Sequence, residues 1–254
     1  DEYEEKNQLY AGDISFIGSM YNEKHNLYDR LCGVNDYTKG YLDAIMKVQR
    51  SIYGYFFLEN MLKGDVLDEM MRVCPVKPNE DGVETVQYVY ANYFLARRMA
   101  TDERTDILSR VGRELGRENK INLYTPDASV RFINVNNKGT VDYYNEMPYV
   151  FRNSRINLNI TLRSIKSGIP LRCMDICGAG GFLLSNYQAD LYDVFVPGED
   201  MVIYDSIDDL MNKCKYYLSH DAERRQIAQN GFGKIEEKHT YDVRFEEIFN
   251  RVFN

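Results

Sequence analysis

VRFINVNNKGTVDYYNEMPYVFRNSRINLNITLRSIKSGIPLRCMDICGAGGFLLSN, residues 130–186, decides the fold. An apolar strand over 155–160 runs into a polar turn with Ser167, Gly168 and Pro170. A short helix carrying Arg172 and Asp175 follows, then a glycine break, then a second apolar strand over 182–185. That order is a βαβ crossover. It predicts an α/β fold with a doubly wound parallel sheet, in which ligands bind outside the carboxyl ends of the strands and helix N-termini attract phosphate.

Pro170 suits a first helical position, where its missing N–H is one of the unpaired donors anyway. Arg172 and Asp175 then stand three residues apart on one helix face, near its start. A guanidinium there can take phosphate oxygens in a fork, and a carboxylate can accept both hydroxyls of a ribose, so the pair suits a sugar nucleotide. A surface ion pair, or the preference of an acid for a helix start, explains the same two residues equally well.

Asp13 to Met20 reads as another strand entering a turn, GSMYNEK, with Gly18, Ser19 and Lys24 in it. The two segments together resemble the nucleotide-binding, C-terminal half of GT-B glycosyltransferases, and more closely the spore-maturation (CgeB-like) branch of the group 1 enzymes. That family carries two Glu eight positions apart before a small-residue stretch ending in Gly. With that Gly matched to Gly180, Asp175 stands at the second Glu, which implies the ribose contact. Ser167 stands at the first, so the role of that Glu beside the transferred sugar is not carried over. At the front the family has Gly, Arg and a Lys five after the Arg, which hold the donor diphosphate. Gly18 and Lys24 match, and Ser19 replaces the Arg. By charge balance Arg172 supplies the missing cation, while Gly168, Gly180 and Gly181 would join Gly18 in allowing close backbone approach.

The resemblance also implies two facing domains, the donor held by the second. The chain would then be the donor half, and the N-terminal acceptor domain and any catalytic base would lie outside it. Such a half would bind a UDP- or GDP-linked sugar, need no metal or other cofactor, and transfer negligibly by itself. A sugar-nucleotide epimerase and a non-catalytic binding module are the alternatives; the missing Glu and Ser19 lean toward the latter.

Composition sets outer limits. The 254 residues are 44% hydrophobic, enough to bury a core. A net charge of -8 argues against a nucleic-acid partner, which would require a basic surface. No apolar run approaches the roughly 20 residues of a membrane helix. The acidic start DEYEEKNQLY is unlike a signal peptide. With five cysteines in no secreted-scaffold spacing, a cytoplasmic protein with reduced thiols is expected. Cys173 and Cys177, four apart, lack the further ligands of a metal site and read better as small core residues.

The remaining sequence divides by periodicity. Residues 37–71 and 84–115 have helical apolar spacing with a break at PVKPNEDG, so a helical insertion is expected over about 37–117, again like the CgeB-like branch. Strands are predicted over 121–124 and 130–135, and most of GTVDYYNEMPYVFRNS reads as a helix. Tyr124 and Thr125 end a strand on the ligand side, where they would touch the base or serve as core tyrosine and turn threonine. Asn159 has the same two readings, sugar or phosphate contact against turn cap. Three amphipathic helices fill about 206–254, with Ser206 and His220 among the start signals and an apolar stripe from Phe245 to Phe253 in the last.

Overall fold

The computed structural model describes residues 2–22, 26–80 and 82–253. In chain order the elements are α1 (Glu2–Tyr10), β1 (Gly12–Ile17), α2 (Asp36–Arg50), α3 (Leu58–Met61), α4 (Gly64–Val73), α5 (Val86–Val89), α6 (Ala96–Leu115), β2 (Ile121–Tyr124), β3 (Val135–Asn137) and α7 (Met147–Asn153). They continue with β4 (Ser154–Asn159), α8 (Leu171–Gly178), β5 (Leu183–Asn186), β6 (Val202–Tyr204), α9 (Ile207–Ser219), α10 (Asp221–Lys238) and α11 (Tyr241–Phe253). Two compact units result: one of residues 1–18, 108–160 and 168–254, the other of 19–107 and 161–167.

The first unit is the α/β layer that residues 130–186 predict. Its six strands are all parallel and run β3-β2-β1-β4-β5-β6, the Rossmann-like order, which reverses direction between β1 and β4. Central strands of such a sheet are covered on both faces, which is why INLY of β2 and LLSN of β5 are buried at every position. On one face α7 and α8 close a core around Val150, Phe151, Ile176 and Leu183. α9 packs on β4 and β6, and ion pairs Arg110–Asp208 and Lys215–Glu114 join it to the last turns of α6. Inside the sheet Ser15 donates to Asn157 at 2.7 Å, and Asn157 donates to the Phe151 carbonyl of α7 at 2.9 Å.

The second unit is helical, with a core of its own around Leu42, Leu58, Leu62, Met70, Tyr90 and Leu95. Its span differs from the expected 37–117, and it includes the segment after β4. Within residues 37–71, α2 ends at Arg50, and Gly54 and Gly64, with φ of 77° and 50°, turn the chain before α3 and α4. Residues 86–115 form a continuous helical path, but Tyr90–Leu95 within it is a π-helix.

Two other predicted elements move. Residues 132–135 form a tight turn, with Asn134 at φ 56° and Phe132 bridging Val135, and the strand in the sheet is only Val135–Asn137. Asn137 supplies the cause, since its side-chain amide bonds the carbonyls of Asp127 and Val130 and closes the loop on itself. The helix expected from Gly139 begins only at Met147, because the Asp142 carboxylate takes the N–H groups of Tyr144 and Asn145 and holds a turn. Ser206 caps α9, accepting the Asp209 N–H at 3.1 Å, whereas His220 precedes α10 without a side-chain cap bond. Among the described residues no helix is long and apolar enough to cross a membrane.

Candidate active site

The turn after β4 brings the chain to α8, whose first turn therefore lies at the edge of the first unit where the parallel strands end. Gly168 enters it with φ 89°, and its N–H donates to the Asp190 carboxylate. Pro170 is the residue before the helix and not its first member. Its ψ of 131° is extended, and its carbonyl accepts the Cys173 N–H at 2.9 Å, which leaves Leu171 to open α8. The helix start has no side-chain cap, the arrangement that leaves N–H groups for an anion.

Arg172 and Asp175, both half-buried, meet at 3.5 Å in the first turns of α8. The guanidinium lies over the Phe151 ring, 5.3 Å from its centre, and against the Met147 sulfur. Burial pulls its pKa below the usual arginine value and Asp175 opposes that, so the group stays charged. Tyr143 donates its hydroxyl to Asp175 at 2.7 Å, and this bond, with burial second, pushes the phenol up to about 12. A carboxylate offers about four lone-pair positions, so Tyr143 and Arg172 leave room on Asp175 for a further hydroxyl donor.

A family profile described as glycosyl transferase-like matches residues 97–250, which include β2 through α10 and the whole of this helix. The chain belongs to the glycosyl transferase-like family. Among curated proteins none matches. Among solved structures the chain is similar to one titled "Crystal Structure of TarM", with a TM-score of 0.46 and 16% identity over 58% of this chain and 32% of that one. The chain thus spans about a third of TarM's length.

Within this glycosyl transferase-like chain the sequence-predicted site residues separate. Gly168, Arg172 and Asp175 come together. Gly18 follows β1, its N–H bonded to the Tyr124 carbonyl at 3.0 Å. Ser19 and Ser167 belong to the helical unit, where Ser19 accepts the Tyr21 N–H at 2.9 Å and Ser167 is exposed. Lys24 lies outside the described residues.

Tyr124 is only 3% exposed and belongs to the core with residues of α7 and α8, and its phenol is pushed up to about 12, chiefly by burial. Asn159 is buried too, its amide donating to Ser185 at 2.9 Å and to the Cys173 sulfur at 3.4 Å, which ties β4 to β5 and α8. Thr125 is buried, with no hydrogen-bond partner for its hydroxyl among the described residues. Gly180 and Gly181 close the far end of α8. Their N–H groups bond the carbonyls of Cys177 and Ile176, the pattern of a helix C-cap with Gly180 at φ 78°. At Gly181 an added Cβ would stand 2.7 Å from the Phe151 carbonyl oxygen, so its close approach is to this protein's own backbone.

Cys173 and Cys177 are core residues. Burial pushes the Cys173 thiol up to about 12 and Cys177 well above its normal value, which makes both inert. Among the described residues no cluster of His, Cys, Asp or Glu could hold a metal ion. Sequence reasoning missed Tyr143 and Asp190. For Tyr143 the available signal was Asp142 ahead of it, a turn former placed before a Pro-initiated helix.

Proposed function

We propose that this chain is the donor-binding half of a glycosyltransferase that takes a nucleoside-diphosphate sugar, UDP- or GDP-linked, at the first turn of α8. The observation that carries the reading is the Arg172–Asp175 pair at an uncapped helix start within the family match. Arg172 and the free N–H groups of the helix would bind the diphosphate, with Lys24 as a second cation, and Asp175 would accept from the ribose. No divalent metal enters this reading, because the cations of the chain carry the leaving-group charge. The acceptor and the catalytic base would come from a facing N-terminal domain, as in the CgeB-like branch, and the protein would work in the cytoplasm.

The test is a crystal soaked separately with UDP and GDP. Density for the phosphates at Leu171 and Arg172, with the ribose on Asp175, supports the assignment. A nucleotide bound elsewhere on the chain rejects it.

A further inference from the structure

The helical unit contains a pocket that the donor assignment does not use. It has a volume of about 480 Å³ and is lined by Tyr21, Tyr88, Asn92, Tyr93, Arg97 and Lys166, among others. That volume is of the size that holds a small ligand.

Three features distinguish it from an ordinary surface depression. Asn92 and Tyr93 of its lining belong to the π-helical segment Tyr90–Leu95, and such wide turns are frequent at functional sites. The amide of Asn92 donates to the Tyr88 carbonyl at 3.0 Å, so one backbone acceptor next to the widened turn is satisfied by a side chain. The Asn92 side-chain oxygen has no protein partner among the described residues. Tyr21, which also lines the pocket, has a φ of 53°, a backbone state that non-glycine residues keep only when the surroundings impose it.

The chemistry of the lining is equally specific. Tyr88 and Tyr93 pack edge to face, their centres 6.0 Å apart, and the Tyr93 hydroxyl is fixed by Glu84. Arg97 is exposed, and its guanidinium touches only the Tyr93 ring, at 5.9 Å, with no carboxylate partner among the described residues. Lys166, by contrast, is neutralised by Glu59 at 3.0 Å. Tyrosine rings and a free amide oxygen suit the C–H face and hydroxyls of a pyranose, while an unneutralised guanidinium suits a phosphate or carboxylate.

We infer that this pocket is a binding site for an anionic saccharide, the sugar ring on Tyr88 and Tyr93, a hydroxyl on Asn92 and the acidic group on Arg97. Its use as an acceptor subsite rests on the glycosyl-transfer reading above. The binding itself does not.

The experiment titrates the whole chain with glucose 6-phosphate, glucuronate, glucose and inorganic phosphate, followed by NMR of the ligands and by calorimetry. At least one of the two acidic sugars should bind about tenfold more tightly than glucose and than inorganic phosphate, the contribution of one charge-assisted bond added to ring packing. Arg97→Gln should remove that advantage while UDP affinity stays unchanged, and Asp175→Ala should do the reverse. Because Arg97 is exposed, an unaltered melting transition will show that the variant is folded. The assignment is overturned if no sugar binds the wild type, if glucose binds as well as both acids, if inorganic phosphate alone binds as well as the acidic sugars, or if Arg97→Gln and Tyr88→Ala leave acidic-sugar binding intact.

Discussion

Tyr143 and Asp175 share a hydrogen bond of 2.7 Å, formed between a turn held by Asp142 and the first turns of α8. It occupies one oxygen of the carboxylate to which the proposed donor site assigns a ribose, so a nucleotide bound there would share that carboxylate with Tyr143. Asp175→Ala should weaken UDP or GDP binding by about 10- to 100-fold in calorimetry, the loss of hydrogen bonds to a charged group at ~1.5–3 kcal/mol. Tyr143→Phe should keep or tighten binding. Full affinity in Asp175→Ala would remove the ribose assignment.

The same bond has a pH signature. Tyr143 titrates near 12 in the folded chain against 10.0 for a free phenol, so its bond stabilises the fold fully below pH 10 and is lost as pH rises from 10 through 12. Ultraviolet titration of wild type and Asp175→Ala should show one phenol moving back toward 10. Identical curves would mean that Asp175 does not hold it.

Arg163 and Glu103 form an ion pair of 2.6 Å whose side chains are only 5% and 4% exposed. The Arg163 guanidinium also lies over the Tyr53 ring and donates to the Arg50 carbonyl. Removing one partner leaves an uncompensated buried charge, so Arg163→Met should cost about 3–5 kcal/mol in urea unfolding. Arg163→Met with Glu103→Leu should recover much of that loss. Equal losses for the single and double variants would show that packing on Tyr53, and not the charge, dominates.

Gly180→Ala should lower stability by about 1–2 kcal/mol, the cost of a Cβ in the left-handed region. In Gly181→Ala the new Cβ would meet both the Phe151 carbonyl and the Asn157 amide at 2.7 Å, so the backbone must move and the melting temperature should fall further. Neither change should alter nucleotide affinity beyond its effect on the folded fraction. A folded Gly180→Ala protein that had lost UDP binding would return that glycine to the donor site.

EDTA should leave UDP binding unchanged, whereas Arg172→Ala should reduce it by about tenfold or more, one charged phosphate contact being worth ~1.5–3 kcal/mol. The opposite pattern would mean that a bound cation, not Arg172, carries the diphosphate.

Periodicity and turn chemistry act within a few residues, and what depends on them was legible in the chain. The βαβ unit at 154–186, the strand at 121–124 and the three tail helices follow from apolar spacing, breaks and caps such as Ser206. β6 was missed because VIY is too short to show a period. The π-helix was missed because its apolar face differs little from that of an α-helix.

For the site, the sequence alone brought Arg172 and Asp175 together, since three residues on a helix are neighbours whatever surrounds them. Only the tertiary structure decided that Tyr143 bonds Asp175 from 32 positions away and that Arg163 is buried on Glu103 from 60 away. It also decided that Tyr124 and Asn159 face the core and that Gly180 and Gly181 close the far end of the helix. Such pairings depend on which side of a strand or end of a helix meets its neighbour. That depends on register and packing across the whole sheet, which no local pattern encodes.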